Sequence, residues 1–281
     1  MPVLSVADSD HDNRVHLVRH EFDTTNIPPL DLASIELNEE EDAWNTDPFT
    51  GDTLPDTSPA KQGDPFVQPR IVGGRTADAS RYPYYTRVYM QNQFQRTIAV
   101  CGGTLIHEDY VLSAAHCIIS DTLPTIAYIV TVTNYTQSIS LYGQTGYEEQ
   151  RLVEASYTHP DYFVAQSGAP HNDYLLLKLS EPIYDIRPVR LNDSTNQPGD
   201  NDVLATIGFG LLRHEGSPPN RLQDINLDVV SYWECNGRSQ FFGIINNANM
   251  ICAGEDGKVS CVHASVLVHV LGRNLLVLWW C

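Results

Sequence analysis

CGGTLIHEDYVLSAAHC, residues 101–117, holds an apolar run, a pair of glycines, a charged turn and a histidine wedged between alanine and cysteine. The run that enters it, Ile98 to Ile106, is too short for an ordinary helix and carries no 3.6-residue period, so it reads as a strand. His107-Glu108 resembles the start of a zinc helix. Val111 stands where H-E-x-x-H needs its second histidine, however, and the chain contains no C-x-x-C, so no metal site is expected.

The same texture extends outward. Apolar runs at Ile126 to Thr133, Tyr174 to Leu179 and Val203 to Phe209 are separated by turn residues: Gly102-Gly103, Asn192-Asp193, Gly208, Gly210 and Pro218-Pro219. No long stretch of helical period competes with them, and no internal repeat of fixed length is present. The region from Arg70 onward is therefore predicted to be all-β. Periodicity alone fits two packed barrels and a single sandwich equally well.

The chain has 281 residues, 42% of them hydrophobic, which is enough for a substantial core. Its formal net charge of -18 argues against a nucleic-acid partner, because phosphate binding needs clustered Lys and Arg. Much of that charge is local. Residues 1–70 contain the run Glu39, Glu40, Glu41, Asp42 and prolines at 28, 29, 48, 55, 59, 65 and 69. Such a segment buries too little to offset its ordering entropy, so it is predicted to be a disordered acidic pro-segment.

All six cysteines, at 101, 117, 235, 252, 261 and 281, follow residue 100. An even number confined to the globular part points to an oxidising compartment, as do the sequons Asn134-Tyr-Thr136 and Asn192-Asp-Ser194. The first thirty residues hold no continuous apolar run, since Asp8, Asp10, His11 and Asp12 interrupt it. The expectation is accordingly that the true N-terminus lies upstream of Met1 or that the gene start is misassigned.

Seven short motifs then occur in one order: RIVGG at 70–74, CGGTLI at 101–106, LSAAHC at 112–117, DYLLLKL at 173–179, TIGFG at 206–210, RLQDINLDVVSYWEC at 221–235 and MICAG at 250–254. Together they resemble the trypsin-like serine proteases of the chymotrypsin family, from Arg70 to Cys261. The resemblance implies a double β-barrel and proteolysis of protein or peptide substrates without a cofactor. It implies His116 as general base and Asp173 as the carboxylate that orients it; a serine hydroxyl is too weak an acid to attack a peptide carbonyl unaided. It implies disulfides Cys101 to Cys117 and Cys235 to Cys252. It also implies activation by another trypsin-like protease, which cuts between Arg70 and Ile71, and a secreted location.

At Cys261 the resemblance stops. The family continues Gln-Gly-Asp-Ser-Gly-Gly-Pro, and this chain reads Val-His-Ala-Ser-Val-Leu. Ser265 lands at the nucleophile's spacing, but Ala264 stands where an aspartate should receive the freed Ile71 amine, and a buried ammonium without a carboxylate is costly. His263 replaces the glycine whose N–H forms half of the oxyanion hole. Val259 occupies the base of the specificity pocket, where a trypsin would carry aspartate. The later pocket strand is missing, so the second barrel is expected to be incomplete.

Residues 262–281 are predicted to be an unrelated apolar tail, β-prone but not a membrane span, because Arg273 interrupts it. Loss of resemblance at one peptide bond suggests a genetic cause, such as read-through into an intron or a frameshift. The domains expected are thus residues 1–70, a protease domain over 71–261, and the tail. Two functions are compatible with this pattern: a trypsin-like endopeptidase lineage whose nucleophile motif is lost in this chain, or a non-catalytic homologue that acts as a protein-binding or regulatory module.

Overall fold

A computed structural model of the chain describes residues 17–22, 24, 74–92, 94, 97–118, 126–131, 150–166, 169–192, 198–209, 221–237, 245, 250–254, 268–271 and 274–277. The strands in chain order begin with β1 (Val18–Glu21), β2 (Arg75–Thr76), β3 (Tyr85–Gln91), β4 (Thr97–His107), β5 (Tyr110–Ser113), β6 (Ile126–Thr131), β7 (Gln150–Thr158) and β8 (Phe163–Val164). They continue with β9 (Pro170–His171), β10 (Leu175–Leu179), β11 (Arg190–Leu191), β12 (Val203–Gly208), β13 (Gln223–Val230), β14 (Cys252–Ala253), β15 (Val268–Leu271) and β16 (Asn274–Val277). The single described α-helix, α1, spans Tyr232–Gly237. The four runs predicted as strands thus appear as β4, β6, β10 and β12, each within two residues of its predicted ends.

The first sheet runs β1-β7-β10-β5-β4-β3-β6, and β6 pairs back onto β7, which curls the sheet closed. Its core follows from alternation. In β10, Leu175, Leu177 and Leu179 point inward while Leu176 and Lys178 are half-buried, as period-2 side-chain placement requires. They meet Val88, Met90, Leu105, Val111 and Val153. Gly103 sits in β4 where a Cβ would lie 2.7 Å from both Thr86 Oγ1 and Val111 Cγ1, so this crossing of β3, β4 and β5 has no room for a side chain.

A second sheet runs β11-β16-β15-β12-β13-β14, with β2 also on β13. Leu204, Ile225, Leu227, Val229 and Ala253 form its core. Tyr82, Tyr85, Val189, Ile207 and Leu222 join the two sheets. At this seam Arg87 of β3 lies with its guanidinium over the Phe209 ring at 4.7 Å and the Tyr89 ring at 5.3 Å, a cation–π arrangement that lets a cation be covered by aromatic surface. The architecture is all-β with two packed sheets, the first closed as a barrel.

Two elements lie in regions where no packed structure is predicted. Within residues 1–70, Val18–Glu21 pairs antiparallel with β7, Val18 facing Thr158 and Glu21 facing Ala155. Beyond Cys261, β15 and β16 form a hairpin, and β15 pairs with β12 through Ala205, Thr206 and Ile207. That hairpin covers the β12 edge, which is predicted to lie open. Backbone pairing of this kind requires only extended, β-prone sequence, which VHVL and NLLV supply.

Candidate active site

Register puts the two candidate residues together. Leu175 of β10 pairs with Ser113 of β5, so the chain just after Ser113 and the chain just before Leu175 leave the sheet at the same end. The first makes a 3₁₀ turn over Ala115–Cys117 that carries His116. The second turns at Asn172, whose φ of 51° lies in the left-handed region that asparagine tolerates better than most residues. Its side chain donates to the Asp161 carbonyl at 3.0 Å, and Asp173 comes directly after it.

Asp173 is wholly buried, and its carboxylate meets His116 twice. Oδ1 accepts the His116 backbone N–H at 2.7 Å, and Oδ2 lies 2.9 Å from His116 Nδ1. An ionised carboxylate can only accept, so the shared proton sits on Nδ1 and the acceptor lone pair falls to Nε2. Burial pushes the Asp173 carboxyl above the usual carboxylate range, opposed by the hydrogen bond and charge of His116 and by the backbone N–H groups of His116 and Ala115. The His116 side chain keeps 20% exposure, and its far nitrogen, Nε2, lies 3.9 Å from Cys117 Sγ.

Tyr162 and Tyr174 close the surroundings of Asp173. Both phenols are raised above their ordinary range, first by burial and second by the negative charge of Asp173. Sequence reasoning does not single them out. Tyr174 adjoins Asp173 and could have been noticed for that reason; Tyr162 precedes β8, whose pairing with β9, Phe163 facing His171, returns the chain toward Asp173, and no local pattern announces that pairing.

The expected disulfides are both present, Cys101 to Cys117 and Cys235 to Cys252. The first ties β4 to the turn that holds His116, and Ser113 Oγ donates to the Gly102 carbonyl at 2.9 Å beside it. The second ties α1 to β14. Cys101, His116 and Cys117 also form a cluster of metal-ligand types, with all three donor atoms within 4.8 Å. The two sulfurs are bonded to one another, which removes the thiolate donors such a site would need.

Arg70, Ile71, Val259 and Ser265 lie outside the described residues, together with His263 and Ala264. The chain after the expected cleavage point is described from Gly74 onward. Arg75 Nε donates to Asp224 Oδ1 at 2.8 Å, and Tyr82 Oη donates to Asp224 Oδ2 at 3.2 Å. These contacts fix β2 against β13.

Residues 71–263 match the family model described as Trypsin. Among curated proteins the chain is 32% identical over 194 residues to "Granzyme-like protein 1" of Rattus norvegicus, which covers 68% of this chain and 71% of that protein. It is 30% identical over 217 residues to "Kallikrein 1-related peptidase b11" of Mus musculus, covering 70% and 73%. A solved structure titled "Structure of GrC" shares the fold with a TM-score of 0.61 at 24% identity, over 73% of this chain and 85% of that one.

Proposed function

Because this chain belongs to the trypsin family of serine proteases, with residues 71–263 matched to the family, we propose that it keeps the proteolytic scaffold and two members of the catalytic triad but lacks a working nucleophile. His116 is the general base and Asp173 holds its tautomer and stabilises the imidazolium that forms on proton transfer. The observation that carries this reading is the doubly tethered pair: one buried carboxylate at 2.7 Å from the His116 backbone and 2.9 Å from its ring.

The nucleophile segment supports the negative half. Attack on a peptide carbonyl needs two N–H donors aimed at the developing oxyanion, and removing one such donor costs about 2.7–4 kcal/mol of barrier. His263, Val266 and Leu267 stand where the family has glycines around Ser265. Ala264 offers no anion to the amine that cleavage after Arg70 would free. Without that pair the activated conformation has nothing to hold it, and triad residues act as a unit. Val259 leaves the specificity pocket without a charge for Arg or Lys.

On this reading residues 1–70 are a pro-segment and 71–261 the protease-like domain, while 262–281 depart from the family sequence but add the β15-β16 hairpin to the second sheet. An activating trypsin-like protease is the partner at Arg70, and the disulfides favour a secreted, oxidising location. Cutting after Arg70 and assaying peptide amides with basic, aromatic and small P1 residues tests the proposal. No turnover above the uncatalysed rate is expected; turnover that Ser265→Ala abolishes would overturn it.

One observation favours the second reading, a non-catalytic homologue that binds proteins. The hairpin of β15 and β16 completes pairing on β12 and reaches β11, so residues beyond Cys261 take part in the fold. A stably folded chain without turnover is what such a module requires.

A further inference from the structure

We propose that residues 17–22 are an integral strand of the first barrel, so that the N-terminal segment stays bound, non-covalently, after the chain is cut between it and β2. The segment is the one read above as a pro-segment, but its retention stands on the pairing of β1 rather than on any cleavage at Arg70.

The edge that β1 covers is defined by its neighbours. β7 pairs with β10 along one side, Leu175 facing Thr158. On its other side β6 reaches only Gln150, Arg151 and Leu152. The remaining stretch, Ala155 to Thr158, would present an unpaired ladder, and β1 fills it over four facing pairs. Phe22 N–H extends the ladder by donating to the Glu154 carbonyl at 2.9 Å. Open edges recruit other strands, so a segment of the same chain that occupies one protects the barrel.

Side chains anchor the strand. Phe22 is 7% exposed and belongs to the same core as Val153, Leu175, Ala114 and Cys117, the last two being neighbours of the His116 turn. Its ring meets His20 edge-on at 4.8 Å. Arg19 lies over the Tyr157 ring at 5.8 Å and pairs with Glu21 at 2.8 Å. A barrel that lost β1 would expose the site of Phe22 within its own core. Residues 1–61 contain no cysteine, so retention of that fragment would not be through a disulfide of its own.

The chain offers a convenient cut. Lys61 is its only lysine before Lys178, which sits half-buried within β10, and a third lies at 258. A lysine-specific protease applied to the full chain with Lys258→Arg therefore cuts after residue 61 and leaves Arg70 intact. The fragment 1–61 is expected to co-elute with the barrel in gel filtration at low micromolar concentration and to separate only in denaturant. Its elution apart from the barrel would overturn the proposal. Phe22→Ala should weaken retention at least about tenfold and Phe22→Leu far less; equal retention by Phe22→Ala and the parent would overturn the assigned anchor. Hydrogen exchange on the uncut chain gives an independent reading, with protection expected across Val18 to Phe22 and exchange as fast as in an unfolded peptide contradicting it. Failure of a trypsin-like protease to cut at Arg70 would count against the activation reading alone.

Discussion

Asp173 and His116 are joined at two points through one carboxylate, the ring contact at 2.9 Å and the backbone contact at 2.7 Å. The same group therefore shapes the turn and sets the tautomer. Because Asp173 is fully buried and Nδ1 faces it, His116 can present only Nε2 to an approaching hydroxyl. Both contacts are made within residues 116–173, ahead of Cys261.

Asp173→Asn separates the electrostatic cost of the carboxylate from its geometry. The folded carboxyl lies above the ordinary range, so its contribution to stability is greatest at low pH and is lost as pH rises through the folded value. The variant lacks that loss. Urea midpoints of the two proteins, compared at pH 4 and pH 7, should move in favour of Asp173→Asn as pH rises; a parent that gains on the variant would contradict the assignment.

Alkaline pH should destabilise the fold. Tyr84 is pushed up to about 12, mainly by burial, from an ordinary 10.0. Its stabilising contribution is whole below pH 10 and declines as pH climbs through about 12, when the unfolded chain ionises more readily. Melting temperatures recorded from pH 8 to pH 11.5 should fall, and Tyr84→Phe should flatten the fall. An identical slope for both proteins would rule Tyr84 out as a contributor.

Gly103→Ala should cost about 1–3 kcal/mol, since the new methyl meets Thr86 Oγ1 and Val111 Cγ1 at 2.7 Å in a packed sheet. Chemical denaturation of the variant reads the loss directly. A cost near zero would mean that β3 and β5 separate more easily than their pairing with β4 implies.

Replacing Cys101 and Cys117 by alanine removes a crosslink spanning 16 residues of sequence separation. For a loop of that size the expected loss is about 3 kcal/mol. Amide exchange around Ala114 to Ile118 should rise with it, because the His116 turn is tied to β4 there. Retention of full stability would show that Asp173 alone positions the turn.

The strands of the first sheet are legible in the sequence because β4, β6 and β10 are apolar runs punctuated by turn residues, and His116 and Asp173 are legible because their flanking motifs occur in one order. Other features are not. β1 is only four residues, VRHE, inside an acidic segment, and its backbone pairing with β7 leaves no compositional trace. Phe22 gives no sign in the sequence that it joins the core that holds Val153 and Leu175. The apolar tail is visibly β-prone, but the edge it meets, β12, lies some sixty residues earlier. Tyr162 is separated from Asp173 by a hairpin and becomes its neighbour only in three dimensions.

The proposed loss of the nucleophile is tested most directly by treating the chain, cut after Arg70, with a fluorophosphonate and mapping the adduct by mass spectrometry. No label on Ser265 is expected on the proposed reading, because His263, Ala264, Val266 and Leu267 stand where the family has glycines and an aspartate. Stoichiometric labelling of Ser265 that His116→Ala abolishes would contradict this reading and make the chain an active protease.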